Sequence, residues 1–217
     1  MDPSPPAPST RTLLSSLIAQ LALACTGAGA GGPQSIASLP PRSQKLLLSL
    51  HCLLPSLLLP ALDLLDRRLV SRVVLAPLSS SSSADHHQQR RQQPVYYVHS
   101  AARSRGKSAQ TTPRAYEVRT RSWNCTCASF TFAAFGSPPT VEGGEEEGGG
   151  EGEGEGEGEG GEEVIWGGYS LGTTPPACKH LVACVLAERC PALFSHFLIE
   201  KPVDGVGGLA SSAVAWS

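Results

Sequence analysis

The sequence predicts an α+β fold: N-terminal helices, then a small antiparallel sheet and a metal-ligating module with C-terminal helices. Three observations support this prediction. Leucines recur at helical spacing before residue 66, and short β-branched and aromatic runs follow them. Two close pairs of metal-ligating side chains then appear, at 125–127 and 178–180. The polar and glycine-rich tracts between these parts predict disordered Ser-rich and Gly/Glu-rich inserts.

Composition shifts along the 217 residues predict where the parts begin and end. The predicted parts are a disordered N-terminus over 1–9, a helical region over 10–78, a low-complexity insert over 79–93, a metal-binding module over 94–200 containing an acidic insert over 137–163, and a flexible tail over 201–217.

The net charge of −2 conceals two parts of opposite sign. Residues 141–163 contain 11 Glu and no Lys or Arg, so the remainder has 17 basic residues against 19 − 11 = 8 acidic ones. A basic body can contact nucleic acid or an acidic partner, although the acidic insert can shield it. Seven cysteines without a disulfide-like spacing indicate a reducing compartment, either cytosol or nucleus.

The first apolar segment spans Thr12–Cys25 and has one helical face, formed by Leu13, Leu14, Leu17, Ile18 and Leu21. A secretory signal peptide is the alternative. Asp2 and the prolines of the lead-in are atypical of such a signal, and Ser15, Ser16 and Gln20 interrupt the apolar run. We therefore expect a helix that packs on the body or on a partner.

A second leucine-rich segment carries no charge from Leu46 to Leu62, which is 17 residues. Pro55 and Pro60 interrupt it, and it is short for a bilayer span. Two short helices, the second ending near Arg68, are the prediction, with no membrane segment.

Strands are expected where β-branched and aromatic residues cluster. The predicted strands are Val70–Leu75, Pro94–His99 and Arg114–Trp123. Val164–Tyr169 either adds an edge strand or only packs. After Pro191, a second apolar helix face is expected from Leu193, Phe194, Phe197 and Leu198.

The last predicted strand leads directly into Cys125 and Cys127, which fall on one side of an extended segment. The second pair is Cys178 and His180. Because residues i and i+2 of a regular helix do not face each other, Cys178 should precede a helix and His180 should lie just inside it. Pro175 and Pro176 agree, since proline can open a helix but excludes its preceding residue from one.

Three thiols and one imidazole are the ligand set of a closed tetrahedral Zn²⁺ site. We therefore predict that Cys125, Cys127, Cys178 and His180 bind one Zn²⁺. Cys184, one helical turn after His180, is an alternative ligand, and a metal-free core is the other interpretation. The nearby Phe130, Phe132 and Phe135 are expected to cover the site rather than to stack on bases.

Cys-x-Cys, a spacer and Cys-x-His resemble the SWIM zinc-binding domain. The segments Cys125–Phe132, Cys178–Ala183, Ala61–Asp66 and Val70–Val74 resemble the SWIM subunit of the Shu recombination complex. The resemblance spans about residues 44–200. The long spacer departs from the family pattern, as does Ala128, where the family often has Pro.

The resemblance implies a non-catalytic nuclear subunit that binds a RecA-like recombinase paralogue and promotes recombinase filaments in homologous recombination. The alternative is a SWIM-type DNA-binding protein of the transposase or transcription-regulator kind. Arg103, Arg105 and Lys107 are the candidate contacts to single-stranded or branched DNA. Residues 101–108 match a relaxed phosphate-loop pattern, but a strand is predicted after them instead of a helix, so no enzyme activity is expected.

Overall fold

The computed structural model describes residues 8–25, 39–75, 94–100, 115–135, 166–167 and 175–203. The predicted inserts over 79–93 and 137–163 lie outside the described residues, as do Arg103, Arg105 and Lys107. In chain order the elements are α1 (Thr10–Cys25), α2 (Pro41–Leu53), α3 (Leu58–Asp66), β1 (Val70–Leu75), β2 (Val95–His99), β3 (Ala115–Arg119), β4 (Asn124–Cys125), α4 (Ala128–Phe135), α5 (Lys179–Arg189), α6 (Pro191–Phe194), a 3₁₀ turn (Ser195–Phe197) and β5 (Ile199–Val203). The predicted α+β class is confirmed.

Helix α1 is the amphipathic helix that the leucine spacing predicts. Its buried residues recur at intervals of three and four, and they are Leu14, Ile18, Leu21 and Cys25. Ser9, which the composition places in the disordered N-terminus, instead caps the helix: its hydroxyl accepts the Thr12 N–H at 3.2 Å.

Helices α2 and α3 share the second leucine-rich segment, with a turn between them near Pro55. Pro41 occupies the first turn of α2, and Pro60 the first turn of α3, where the missing N–H has no helical partner to lose. Within the described ranges, none of the helices is long and apolar enough to cross a membrane.

The described residues form a sheet of five strands in the order β4-β3-β2-β1-β5. The first three pairings are antiparallel, but β5 runs parallel to β1, with Ser71 opposite Ile199 and Leu75 opposite Val203. The prediction of an antiparallel sheet is therefore wrong for its last strand. The predicted tail also begins too early, because Lys201–Val203 belong to β5. Pro202 fits there because β5 is an edge strand.

Helix α5 lies at the centre of the fold and contacts α1, α3, β3 and β4. Every residue from His180 to Ala187 is buried, so the helix is enclosed on all sides. The sheet residues that form the core with it include Val70, Tyr96, Val98 and Val118, all fully buried.

Glu188 attaches the end of α5 to the sheet. One of its carboxylate oxygens accepts the Thr120 hydroxyl at 2.5 Å and faces the Tyr96 hydroxyl at 3.5 Å. Burial raises the pKa of Tyr96 far above its usual value, so the phenol stays a neutral donor at physiological pH. The C-terminal end of α5 is thereby held against the sheet, at the end opposite to Cys178 and His180.

Candidate metal centre

Four side chains, two from the region of β4 and two from the start of α5, meet beside the sheet. The donor atoms of Cys125, Cys127, Cys178 and His180 all lie within 4.8 Å of one another. Their exposed fractions are 2%, 2%, 0% and 4%. The structure thus brings together the four residues that the sequence predicts as ligands, although the first and last are 55 positions apart.

The distances suit a tetrahedral ion. Ideal Zn–S and Zn–N bonds place a sulfur and a nitrogen about 3.6 Å apart on one ion. Nδ1 of His180 lies 3.8 Å from Sγ of Cys125 and 4.0 Å from Sγ of Cys178. Contraction by a few tenths of an ångström would bring these atoms to bonding distance around a metal ion.

A tight turn before Cys125 and Cys127 sets the direction of this first ligand pair. Strand β3 ends at Arg119, earlier than predicted, and Trp123 takes a positive φ of 49° before Cys125 pairs with Val118. This left-handed conformation is uncommon for a residue other than glycine and lets the chain reverse within a few residues. Cys125 therefore leaves the edge of the sheet directed towards α5.

Cys127 is both a candidate ligand and the start of α4. Its carbonyl accepts the N–H groups of Phe130 at 3.1 Å and Thr131 at 3.2 Å. The Phe130 N–H also lies 3.3 Å from its sulfur, a hydrogen bond that favours the thiolate form. A metal ion bound at Cys127 would therefore also stabilise the start of α4.

The second pair lies at a helix start, as the sequence predicts. Cys178 has extended backbone angles (φ −138°, ψ 164°), and its carbonyl accepts the Val182 N–H at 3.1 Å. His180 follows within the first turn of α5. The ring of Tyr116 lies 4.7 Å from the His180 ring and helps to fix its orientation.

Trp123 joins the two halves of the site. Its Nε1–H donates to the Pro176 carbonyl at 2.6 Å, two residues before Cys178. Its ring packs edge-on against Trp166 at 5.0 Å, and the Trp166 N–H donates to the Ser15 hydroxyl at 3.0 Å. We call Trp123, Trp166 and Pro176 the tryptophan bridge.

Sequence reasoning did not find this bridge. The pattern predicts Trp123 at the end of a strand, and 164–169 as either an edge strand or a packing segment. The structure describes only residues 166–167 of that segment, and there Trp166 packs in the core. The available sequence signal was Gly167. Its φ of +93° disfavours other residues, and a Cβ added there would lie 2.6 Å from Pro175 Cγ.

The expectation that three phenylalanines cover the site holds only for Phe130, which is 6% exposed. They lie on a short helix, so Phe130 points to a different side from Phe132 and Phe135. Phe132 is 75% exposed and Phe135 is 83% exposed. That prediction is therefore wrong for Phe132 and Phe135.

The alternative ligand, Cys184, is fully buried one turn beyond His180 but is not among the four grouped side chains. Burial raises the pKa of its thiol well above the usual value. It therefore remains a neutral thiol inside the core.

The three grouped thiols cannot all ionise together without a cation. Hydrogen bonding to Cys127 raises the pKa of Cys125 far above its usual range, and the bond from Cys125 lowers that of Cys127 far below. The hydrogen bond to Cys125 lowers the pKa of Cys178. The hydrogen bond to Cys127 and burial raise it, which leaves the pKa at about 11. Cys127 is therefore the most acidic of the three thiols, and Cys125 and Cys178 hold their protons more strongly.

This protonation pattern predicts how metal affinity varies with pH. Bound metal requires thiolates, so Zn²⁺ must displace the protons of Cys125 and Cys178. Both pKa values lie above neutrality, so two protons compete at pH 6–8, and affinity falls as pH falls. We expect a loss on the order of 100-fold per pH unit. Competition with a chromophoric chelator at several pH values measures this slope, and a pH-independent affinity would contradict the pattern.

The arrangement can hold a metal ion by its own chemistry. Thiolates and an imidazole select soft or borderline cations, with Zn²⁺ the common occupant of a tetrahedral set. Four protein ligands fill that geometry, so such an ion would stabilise the fold without an open position for a substrate. No model of a known protein family matches the chain, and no curated protein matches it.

Proposed function

We propose that the protein is a non-catalytic, zinc-binding nuclear subunit of a Shu-like complex that promotes recombinase filament assembly during homologous recombination. The observation that carries the proposal is the buried Cys3His group, with Cys-x-Cys at a strand end and Cys-x-His at a helix start. That arrangement agrees with the resemblance of both segments to SWIM subunits.

A binding role suits this group better than catalysis. A Zn²⁺ ion held by four buried protein ligands has no position for an activated water. Its contribution is to join β4, α4 and α5 into one rigid unit. Function then depends on the surfaces that this unit supports.

The N-terminal helices offer one such surface. Leu23 is 73% exposed, Leu48 is 64% exposed and Leu59 is 58% exposed. Exposed apolar residues mark a protein–protein contact where they form one continuous patch. In our proposal they contribute to the contact with a RecA-like recombinase paralogue.

Affinity purification from cells, followed by mass spectrometry, tests the proposal. We expect a RecA-like protein to co-purify with the wild-type chain and with Cys52→Ser, because Cys52 is exposed and outside the site. Cys178→Ser should lose most of that partner, since the module that supports the contact no longer folds. Absence of any RecA-like protein would contradict the proposal.

Direct DNA binding is the second candidate, favoured by the basic body of the chain, including Arg103, Arg105 and Lys107. Under our proposal the isolated chain binds an unstructured oligonucleotide only weakly, at about 10 µM or above in physiological salt, as non-specific binding does. Fluorescence anisotropy measures this. Sub-micromolar binding that drops tenfold or more when the three residues become Gln would favour the DNA-binding alternative.

A further inference from the structure

The sheet has two faces, and helix α5 covers one of them. Paired residues of neighbouring strands place their side chains on the same face, so the register assigns each residue to a face. Tyr96 and Tyr116 belong to the face that α5 covers, since they contact Glu188 and His180. We call the opposite face the outer face. Its residues include Ser71, Val73, Tyr97, Glu117, Ile199 and Lys201.

The middle of the outer face is buried, although it lies outside the hydrophobic core. Ser71 is 1% exposed, Tyr97 is 7% exposed and Val73 is 8% exposed. The core that the helices form with the sheet contains neither Val73 nor Tyr97. Side chains stand roughly perpendicular to a sheet, so neighbours on the same face shield their sides but leave their ends open. Burial of these three residues therefore requires a further layer over them.

Ser71 indicates the chemistry of that layer. Its hydroxyl is buried and has no hydrogen-bond partner among the described residues. A buried hydroxyl without a partner is destabilising, so the layer should bring a polar backbone group to Ser71. It should also bring apolar side chains to Val73 and Tyr97. A segment of chain that contains glycines meets both requirements, because its backbone can approach the sheet closely.

The layer belongs to the same chain. Because Ser71, Val73 and Tyr97 are already buried in one copy, a second copy or another partner would find little of them left to bury. The segments 76–93 and 101–114 connect strands of the sheet, but Leu78 is their only large aliphatic or aromatic residue. The segments 1–7, 26–38, 136–165 and 168–174 adjoin the helices or Trp166 and Gly167, on the side of the sheet that α5 covers.

Residues 204–217 have the required composition. They follow β5 directly and contain three glycines and a single charged residue, Asp204. Four large apolar side chains are spread along the segment, and these are Val206, Leu209, Val214 and Trp216.

The segment is also long enough to reach the middle of the outer face. Val203 pairs with Leu75 and Tyr97 pairs with Ser71, so Tyr97 lies two strands and four residues away from Val203. With the usual strand spacing and rise this is about 16 Å, and a layer over the sheet adds about 10 Å in height. Six extended residues span about 20 Å, which brings Leu209 to this position.

We propose that residues 204–217 fold back over the outer face of the sheet and place Leu209 and Trp216 against Val73 and Tyr97. This cover goes beyond the proposed function and does not depend on it. It withdraws the outer face from contact with partners, so that the helical side of the protein is left for that purpose.

Intramolecular photo-cross-linking of the purified full chain tests the position of the segment. Benzoylphenylalanine replaces Arg119, an exposed outer-face residue of β3, and a matched variant carries it at Leu48 on α2. Position 119 lies three strands away from β5. We expect cross-links from position 119 to residues 209–216 of the same chain, and none of these from position 48.

The double substitution L209S/W216S supplies the control, because it keeps the segment but removes its two anchors. It should abolish the cross-link from position 119. Cross-links from position 119 to 76–93, to 101–114 or to a second copy would overturn the proposal. Equal labelling of 209–216 from positions 119 and 48 would also overturn it, since a segment without a fixed position would react with both.

Dye binding and fluorescence provide an independent readout. Loss of the anchors uncovers apolar surface, so L209S/W216S should bind anilinonaphthalenesulfonate severalfold more strongly than wild type, with unchanged far-ultraviolet circular dichroism. Trp123 and Trp166 are buried and remain in both chains, so the difference in emission between wild type and Trp216→Phe reports Trp216 alone. That emission should be typical of an apolar environment and resist quenching by iodide. Emission typical of water, or unchanged dye binding, would contradict the proposed cover.

Discussion

Replacing Cys178 by serine should remove the zinc ion that we propose at this site and unfold the module around it. Binding of structural Zn²⁺ by zinc-finger peptides is linked to about 10–16 kcal/mol of folding free energy. The first ligand pair lies on a two-residue strand and just before an eight-residue helix, so little regular structure holds these two residues in place without the ion. We therefore expect loss of α4 and of the first turn of α5, with stability reduced by several kcal/mol.

Metal analysis and thermal unfolding measure this effect, with two matched cysteine variants as controls. Cys52→Ser changes an exposed thiol, and Cys184→Ser changes a fully buried thiol one turn beyond His180. Both should retain one zinc per chain. Retention of zinc in Cys178→Ser, together with its loss in Cys184→Ser, would show that the ligand set has been assigned incorrectly.

Trp123→Ala should produce the second large effect by opening the tryptophan bridge. The substitution removes a buried ring, its contact with Trp166 and its hydrogen bond to the Pro176 carbonyl. Large-to-small changes at buried aromatics cost about 3–5 kcal/mol. Because the bridge holds the Cys125 hairpin against the segment before Cys178, zinc affinity should fall as well.

Chemical denaturation and chelator competition measure the two consequences. Trp123→Phe keeps most of the ring but loses the donor, so its loss should be smaller, about 1–3 kcal/mol. Phe132→Ala serves as the control, because its ring is exposed and its removal leaves no cavity. If Trp123→Ala were no less stable than Phe132→Ala, the bridge would have no structural role.

Local patterns were enough to predict much of the fold and the grouping of the four side chains. Leucine spacing identified α1, because an amphipathic helix has one buried face. The two prolines before Cys178 identified the start of α5, since they permit a helix only from that point. The preference of zinc for thiolate and imidazole ligands then predicted that the pairs at 125–127 and 178–180 meet, although 50 residues separate them.

The features that escaped prediction depend on long-range contacts. Strand β5 is short and contains Glu200, Lys201 and Pro202, so only its pairing with β1 makes it a strand. Trp123 and Trp166 are separated by the acidic insert, so no periodicity connects them. Phe132 and Phe135 are exposed because they lie on the helix α4. The strand residues before α4 do not indicate that a helix follows.

X-ray absorption spectroscopy of the zinc-loaded protein tests the central claim most directly. Coordination by Cys125, Cys127, Cys178 and His180 predicts three sulfurs at about 2.3 Å and one nitrogen at about 2.0 Å. Four sulfurs would mean that Cys184 has replaced the histidine. Two sulfurs with oxygen ligands would mean an open site, and either result would contradict a closed Cys3His centre.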